Sequence, residues 1–302
     1  MGEAGKTSKV GVVGAMNIYR GIRLNRLFCL FFSLIFFSSL TGNAESRGDR
    51  GCQLEDSVLT IGSGIKKIEA FGYRDREDIS EVRFAAGSGI VSIGDYAFLG
   101  CVNLKRIIFP SSLVSLGEGC FRECESLEEI TLPRNMKKLP KYLFYFCDRL
   151  RKVTLPTRLE VIERNCFTYC RSLEDISFPN SLRNIGMNAF TRCESLKEVV
   201  VPKSVSYLES YAFSDCKGMK VITFPANGCE LGELILSGCD GLERVIEPST
   251  VVPKFECNSF PFEPDEYSKY DNIELCVPSG MEKAYREAGG WKLFKNIEVC
   301  AE

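Results

Sequence analysis

The chain of 302 residues contains no histidine, and this absence excludes whole classes of catalytic and metal sites. Ser–His–Asp and Cys–His nucleophile systems need an imidazole as the base, and histidine is the commonest metal ligand in proteins. Four-cysteine zinc sites usually need closely spaced cysteine pairs, which the spacing described below does not supply. We therefore expect no catalytic residue, no cofactor and no metal ligand.

A strong excess of charge of one sign is also missing. The chain has 38 basic and 40 acidic residues, which gives a formal net charge of −2 and a pI of about 5.7. Because nucleic-acid binding normally needs a basic face, we expect no nucleic-acid partner.

Long apolar runs are absent except for Leu27–Leu40, near the N-terminus. Three arginines precede this run: Arg20, Arg23 and Arg26. Gly42 and Ala44 follow it at the −3 and −1 positions of a cleavage site, which is typical of a secretory signal peptide. The run of about 14 residues is shorter than the roughly 20 that span a bilayer. We therefore predict a signal peptide over residues 1–44.

Two further expectations concern this segment. The stretch before Arg20 is long for a signal peptide, so we expect translation to start at Met16. No second long apolar run exists, so removal of the signal would leave no stable membrane span and a secreted or cell-surface protein. The alternative is an N-terminal anchor that is not cleaved.

The rest of the chain contains a repeat of 23 residues. A cysteine marks each of seven repeats, numbered 1 to 7: Cys101, Cys124, Cys147, Cys170, Cys193, Cys216 and Cys239. A phenylalanine lies three residues before six of these cysteines: Phe98, Phe121, Phe144, Phe167, Phe190 and Phe213. A proline ends each repeat: Pro110, Pro133, Pro156, Pro179, Pro202, Pro225 and Pro248. A fixed period of this length predicts a solenoid, in which stacked repeats share one core.

Each repeat has a strand signal followed by a return segment. In repeat 2, Ile130-Thr131-Leu132 alternates apolar and polar residues as strands do, and Pro133 ends the strand. Apolar residues at 120, 121 and 124 favour a short helical turn before it. We therefore predict one parallel β-strand per repeat, joined by short helical or 3-10 return segments. The predicted divisions are an N-terminal cap with degenerate repeats over 45–90, seven repeats over 91–251, and an irregular segment with a C-terminal cap over 252–302.

Fifteen cysteines in an exported chain first suggest a disulfide scaffold. The seven ladder cysteines occupy one repeated position, however, where their side chains point in parallel rather than towards each other. We therefore predict buried free thiols that act as small apolar side chains. Pairing stays open for the cysteines outside the ladder that lie near the two caps: Cys52, Cys229, Cys257, Cys276 and Cys300.

The repeat resembles the BspA-like, or treponemal-type, leucine-rich repeats, whose pattern is I-x-x-x-A-F-x-x-C-x-x-L-x-x-I-x-F/L-P. It is matched by IGDYAFLGCVNLKRIIFP over 93–110 and by IGMNAFTRCESLKEVVVP over 185–202. In repeat 7, Leu236 replaces the phenylalanine and Glu247 replaces the last apolar strand residue. We expect this repeat to begin to face solvent, and we expect the tail to cap it.

Two surfaces are candidates for a protein partner. The residue before each buried strand residue is mostly charged and alternates in sign, which favours ion pairs across strands on an extended concave face: Arg106, Glu129, Lys152, Asp175 and Glu198. Between the ladder phenylalanine and cysteine, Tyr145, Phe146 and Tyr169 form a second candidate, in which Phe146 and Tyr169 share a column and should touch. The alternatives are a solvated face that stabilises the sheet and local packing of the aromatic rings.

The resemblance implies a bacterial protein that binds host or neighbouring-cell proteins. We therefore predict a secreted or cell-surface, non-enzymatic protein-binding module with a role in adhesion. The alternative is a secreted hydrolase that uses a pair of carboxylates, but function must be argued from a site, and none converges in this sequence.

Overall fold

The computed structural model describes residues 51–255, 261–262 and 264–300, and the repeats in it stack into a parallel solenoid. A leucine-rich-repeat-type solenoid is therefore confirmed. Its repeats differ from the prediction in two respects. Each repeat carries strand pairing on two sides instead of one, and turns replace the predicted helical return segments. The predicted signal peptide over 1–44 and Cys257 lie outside the described residues.

The primary row contains the strands that the sequence predicts. Its members are β2 (Val58–Ile61), β4 (Glu81–Phe84), β6 (Arg106–Ile107), β8 (Glu129–Thr131), β10 (Lys152–Thr154), β13 (Glu198–Val200), β15 (Val221–Thr223) and β17 (Arg244–Ile246). Repeat 4 contributes an isolated bridge, in which Asp175 pairs with Lys152. Pairing keeps equivalent residues opposite each other, as with Ile130 and Val153. The 23-residue period therefore places each repeated position in a column.

The secondary row lies on the other side of each repeat and consists of two-residue strands. Its members are β3 (Lys67–Ile68), β5 (Ser92–Ile93), β7 (Ser115–Leu116), β9 (Lys138–Leu139), β11 (Val161–Ile162), β12 (Asn184–Ile185), β14 (Tyr207–Leu208) and β16 (Glu230–Leu231). Only one residue of each pair is buried, as in β9 with its exposed Lys138 and buried Leu139. Such short segments carry too little alternation for a sequence pattern to reveal them.

The return segments are successive turns rather than helices. The residues two before and two after the ladder phenylalanine position have positive φ in every repeat, as at Tyr142 (58°) and Phe146 (61°) of repeat 3. A right-handed helix cannot contain such residues. Instead, the amide N–H groups of Tyr142, Phe144 and Phe146 donate to the carbonyl groups of Arg164, Cys166 and Thr168 in the next repeat.

Two side-chain ladders fill the core between the rows. The ladder phenylalanines stack from Phe98 to Phe213 with ring centroids 5.0–6.0 Å apart, and Tyr73 extends the stack towards the N-terminus. The seven ladder cysteines are buried free thiols. Each donates its S–H to a backbone carbonyl of the preceding repeat, as Cys170 does to Phe144 at 3.2 Å. Cysteine is thus both a small apolar residue and a donor for a buried acceptor.

The N-terminal end is closed by a hairpin. Strand β1 (Cys52–Glu55) pairs antiparallel with β2, and a two-residue turn joins them. Asp56 and Ser57 in this turn both have positive φ, at 47° and 65°, as type I′ hairpin turns require. Strand β3 then pairs parallel with β5 in the secondary row, and β4 pairs parallel with β2 and β6 in the primary row. The degenerate repeats within 57–90 therefore belong to the two rows.

The C-terminal segment continues the primary row with β18 (Glu274–Val277) and β19 (Asn296–Val299). Between them lie helix α1 (Glu282–Glu287) and a 3-10 helix (Gly290–Leu293), and another 3-10 helix (Pro264–Asp271) precedes them. A disulfide joins Cys276 in β18 to Cys300 after β19. This bond settles one of the pairings that the sequence left open.

The expectation that repeat 7 begins to face solvent is wrong. Leu236 is 1 % exposed and Glu247 is fully buried, because β18 covers the edge of β17. Trp291 is 1 % exposed and donates its indole N–H to the carbonyl of Pro253 at 2.8 Å. The C-terminal segment therefore covers the end of the array, as a cap must.

Candidate protein-binding surfaces

The primary row presents a continuous surface of polar side chains, here named the primary strand face. It consists of the exposed residues beside and within the strands of repeats 1 to 7. The predicted binding residues Arg106, Glu129, Lys152, Asp175 and Glu198 are all exposed on it, in β6, β8, β10, the bridge of repeat 4 and β13. The strand backbone fixes them in one column because each buried neighbour packs into the core.

Pairing brings charges of opposite sign together along this column. Glu129 lies opposite Lys152, and Lys152 lies opposite Asp175. At the C-terminal end of the column, Arg244 forms an ion pair with Glu274 at 2.7 Å. The side chains are exposed, so each pair adds little to the free energy of unfolding.

A second charged column, which the sequence analysis missed, lies one residue earlier. Its members in repeats 1 to 7 are Lys105, Glu128, Arg151, Glu174, Lys197, Lys220 and Glu243. Ion pairs between repeats form within it, from Arg151 to Glu174 at 3.0 Å and from Lys220 to Glu243 at 2.6 Å. The same 23-residue spacing and the alternating signs of its first five members could have identified it.

Both columns border open depressions between the strands of repeats 2 to 5. One depression is lined by Glu128, Arg149, Arg151, Ser172, Glu174 and Ser195. The neighbouring one is lined by Glu128, Glu129, Arg151, Lys152, Glu174 and Asp175. Because charged groups of both signs alternate here in contact with solvent, the surface can form ion pairs and hydrogen bonds with a partner.

The second candidate surface is a cluster of aromatic rings and arginines on the turn side. Phe146 and Tyr169 stack with ring centroids 4.2 Å apart, and Tyr145 meets Phe146 edge-on at 4.7 Å. Arg122 lies over Tyr145 at 5.0 Å, and Arg171 lies over Tyr169 at 5.2 Å. The contact predicted between Phe146 and Tyr169 is therefore present.

The three rings of this cluster are not equally accessible. Tyr145 and Phe146 are half-buried, whereas Tyr169 is 9 % exposed. Arg192 also lies over the Tyr169 ring, at 5.2 Å. Cation–π contacts and the stack with Phe146 thus hold Tyr169 inside the cluster, which leaves Tyr145 and Phe146 as its accessible members.

Among the residues that the structure describes, no group of three or more cysteine, aspartate or glutamate side chains is placed to hold a metal ion. None of the helices within 51–255 and 264–300 has the length and apolar character to cross a membrane.

The fold and its exposed face define the class of protein: a repeat solenoid with a polar strand surface. The family description that matches residues 50–174 and 137–261 is the BspA type leucine-rich repeat region with six copies. The chain belongs to this family. No curated protein sequence matches it.

Solved structures of other leucine-rich repeat proteins are similar. A protein from Bacteroides ovatus shares 26 % identity over 76 % of this chain, with a TM-score of 0.52, and this chain spans 64 % of its length. The pneumococcal vaccine antigen PcpA shares 20 % identity over 82 % of this chain and 80 % of its own, with a TM-score of 0.49. A Treponema pallidum protein shares 23 % identity over 83 % of this chain and 96 % of its own, with a TM-score of 0.42.

Proposed function

We propose that this chain is an exported, non-enzymatic protein-binding module that attaches to proteins of a host or of neighbouring cells. The observation that carries the proposal is the primary strand face, where rigid strands hold exposed charges of both signs in fixed columns. Repeat solenoids commonly use such extended surfaces to bind protein partners. Complementary charges set the specificity and the association rate of such contacts.

Two observations support the location outside the cell. The arginines, apolar run and small residues at 20–44 have the order of a signal peptide. The disulfide between Cys276 and Cys300 suits an oxidising compartment, because such bonds are rare in the cytosol.

We expect the exported protein to begin at Glu45. The intact mass of the secreted chain measures this, and a mass that retains Leu27–Leu40 would indicate a membrane anchor instead.

Binding can be tested by capture from an extracellular-matrix extract, followed by affinity measurement with the captured protein. The double variant Lys152→Glu with Asp175→Lys reverses both charges and should change the affinity for the captured protein. Added salt should reduce the difference from the wild type. The matched control is Lys137→Glu with Glu160→Lys, which reverses the charges of an ion pair beside the secondary row, 2.9 Å between Lys137 and Glu160. Equal affinities of the wild type and the first variant, with folding intact, would exclude the primary strand face.

The aromatic and arginine cluster is the second candidate site. Tyr145→Ala should weaken the binding of a partner to this cluster by about 1–3 kcal/mol, because aromatic side chains often contribute most of the binding free energy of an interface. The effect should depend little on salt. Tyr169 is a poor choice for this test, because it is nearly buried and its removal would also disturb packing.

The hydrolase alternative is checked with glycan, peptide and ester substrates, and turnover of any of them would contradict a purely binding role.

A further inference from the structure

The charges of repeats 1 to 4 form bands on the primary strand face. In each of these repeats, the two neighbouring positions before the buried strand residue carry the same sign. The pairs are Lys105 and Arg106, Glu128 and Glu129, Arg151 and Lys152, and Glu174 and Asp175. All eight side chains belong to exposed residues. The face therefore carries four bands in the order positive, negative, positive, negative.

These bands lie on one surface and follow each other at the spacing of strands. Six of the eight residues, those of repeats 2 to 4, line a single open depression. Strand β6 lies beside β8, β8 pairs with β10, and β10 meets Asp175 of repeat 4. Adjacent bands are therefore about 4.8 Å apart. Within the chain, Arg151 and Glu174 already form one pair between bands, at 3.0 Å.

An even series of alternating bands is complementary to itself when its order is reversed. A twofold axis that is parallel to the strands and passes between β8 and β10 places repeat 1 opposite repeat 4 of a second copy. Repeat 2 then lies opposite repeat 3, while positions along the strand are kept. Lys105, Arg106, Glu128 and Glu129 would face Glu174, Asp175, Arg151 and Lys152 of the second copy. Each of these four opposite-charge pairs forms twice, as an isologous contact requires.

The other twofold arrangement of two facing solenoids fails. An axis along the stacking direction would reverse the strand direction and place each repeat opposite itself, so that Glu128 would meet Glu129 of the second copy and Arg151 would meet Lys152. Like charges in direct opposition are destabilising. The bands therefore select one relative orientation, with the two solenoids antiparallel.

We propose that the banded face binds a second copy of this chain about the twofold axis between β8 and β10. The inference rests on the proposed function in so far as it names one occupant of the primary strand face. Outside the bands, Ile108, which is 55 % exposed, would face Ser177. Glu81 would face Glu198, a like-charge contact at the margin, where Arg83 already forms an ion pair with Glu81 at 2.9 Å.

The size of the face indicates a weak dimer. Four strands at about 4.8 Å and about five residues at 3.3 Å each cover roughly 19 by 17 Å. This is below the approximately 800 Å² per partner of standard interfaces. The pairs are solvent-exposed before association, so salt should weaken the dimer strongly. We expect a dimer that exchanges rapidly and forms at micromolar or higher concentration.

Sedimentation of the purified chain, in the form that the expressing cell delivers, tests the proposal without any ligand. The wild type should dimerise with rising protein concentration at about 0.01 M salt, where the Debye length is about 30 Å. It should be monomeric at about 1 M salt, because a Debye length of about 3 Å screens the charges. The variant Arg151→Glu with Lys152→Glu should stay monomeric, because its repeats 2 and 3 both become negative. Glu128→Lys with Glu129→Lys should also stay monomeric, because both become positive.

Mixing the two variants provides the decisive measurement. Repeats 2 and 3 of one variant are complementary to those of the other, so the mixture should form heterodimers although each variant alone does not. A chain that carries all four substitutions should dimerise again, because its two central bands have exchanged sign. These rescues cannot occur if the variants merely fail to fold. A monomeric wild type at low salt, or a mixture that remains monomeric, would overturn the proposal.

The proposed function can fail or succeed independently of this result. A wild type that never dimerises, but whose partner binding depends on Lys152 and Asp175, overturns self-association and leaves partner binding intact. Dimers that respond to the band variants as described, in a chain that captures no partner, support self-association alone.

Discussion

Glu247 is a buried carboxyl group at a position where the six preceding repeats place an apolar residue. Its Oε1 accepts the backbone N–H of Ser249 at 3.1 Å, while its Oε2 has no hydrogen-bond partner. Burial raises the pKa of Glu247 from 4.5 to about 8, against the opposing effect of the Ser249 hydrogen bond. The carboxyl therefore stays protonated in the folded chain at neutral pH.

The raised pKa of Glu247 predicts a loss of stability as pH rises. Between pH 4.5 and about 8, the unfolded chain releases this proton and the folded chain keeps it, so the free energy of unfolding falls. The fall should be up to about 5 kcal/mol and should level off above pH 8. Glu247→Gln should remove this contribution, as urea unfolding at pH 5 and pH 9 would measure.

Two groups that interact with Glu247, Cys229 and Tyr285, have raised pKa values and do not titrate in this range. The pKa of Cys229 is raised to about 12, mainly by burial and also by Glu247. That of Tyr285, whose hydroxyl donates to the carbonyl of Ser249, is raised as well. Glu230→Gln, at an exposed position in the same repeat, is the matched control and should keep the wild-type pH dependence. A Glu247→Gln chain with unchanged pH dependence would contradict the assignment.

The ladder cysteines should be chemically inert in the folded chain. Burial raises the pKa of Cys101 to about 12 and raises those of the ladder thiols Cys124 and Cys170 well above the ordinary value of a thiol, so the reactive thiolate is scarce. Alkylation of ladder positions should be slow in native protein and fast after unfolding, as peptide mapping by mass spectrometry would show. Half-buried Cys52 is the internal control and should react before the ladder thiols. Rapid labelling of several ladder positions in native protein would contradict their packing.

At the scale of the element, the turn segments explain why a helical pattern did not produce a helix. Apolar residues at 120, 121 and 124 match helical spacing, but Gly119 and Glu123 have φ of 56° and 62°. A left-handed residue costs roughly 1–2 kcal/mol when it is not glycine. Hydrogen bonds to the next repeat offset this cost, as that of the Glu123 N–H to the Tyr145 carbonyl at 2.8 Å does.

This conformation predicts an unusual effect of glycine. Glu123→Gly should stabilise the chain by up to about 1 kcal/mol, because glycine adopts positive φ without steric cost. Glu123→Val should destabilise it, since β-branched residues are strongly disfavoured there. Glu125→Gly, two residues later and without positive φ, is the matched control and should not stabilise. Thermal unfolding measures all three, and equal effects of glycine at 123 and 125 would contradict the explanation.

At the scale of the whole molecule, each repeat contacts mainly its neighbours, so stability should pass along the array step by step. Trp291 joins several parts of the C-terminal cap: its ring lies 5.1 Å from that of Phe255 and 5.6 Å from that of Tyr285, and its N–H binds Pro253. The cap in turn covers repeat 7. Loss of this residue should therefore act first at one end of the solenoid.

Trp291→Ala should destabilise the cap by about 3–5 kcal/mol through the cavity that it leaves. Amide hydrogen exchange should accelerate in β17, β18 and β19 but remain slow in β6 and β8. Trp291→Phe keeps most of the packing and loses the N–H donor, so it should have a smaller effect in the same region. Uniform acceleration over the whole solenoid would show that the array unfolds as a single unit.

The sequence by itself determined the period, the core and the class of fold. Cysteine, phenylalanine and proline recur at 23-residue spacing because every repeat must fill the same space against its neighbours. The same spacing located the charged column that contains Lys152 and Asp175, since a residue before a buried strand position must face solvent.

The tertiary structure decided what depends on contacts between repeats and beyond them. The left-handed residues of the turns are stabilised by carbonyl groups of the next repeat, so no local pattern reveals them. Glu247 is buried because β18, 27 residues later in the chain, covers it and accepts its backbone N–H at Cys276. Tyr169 is covered by arginines from its own repeat and the next. In each case a polar or exposed-looking residue acquires its environment only when distant parts of the chain come together.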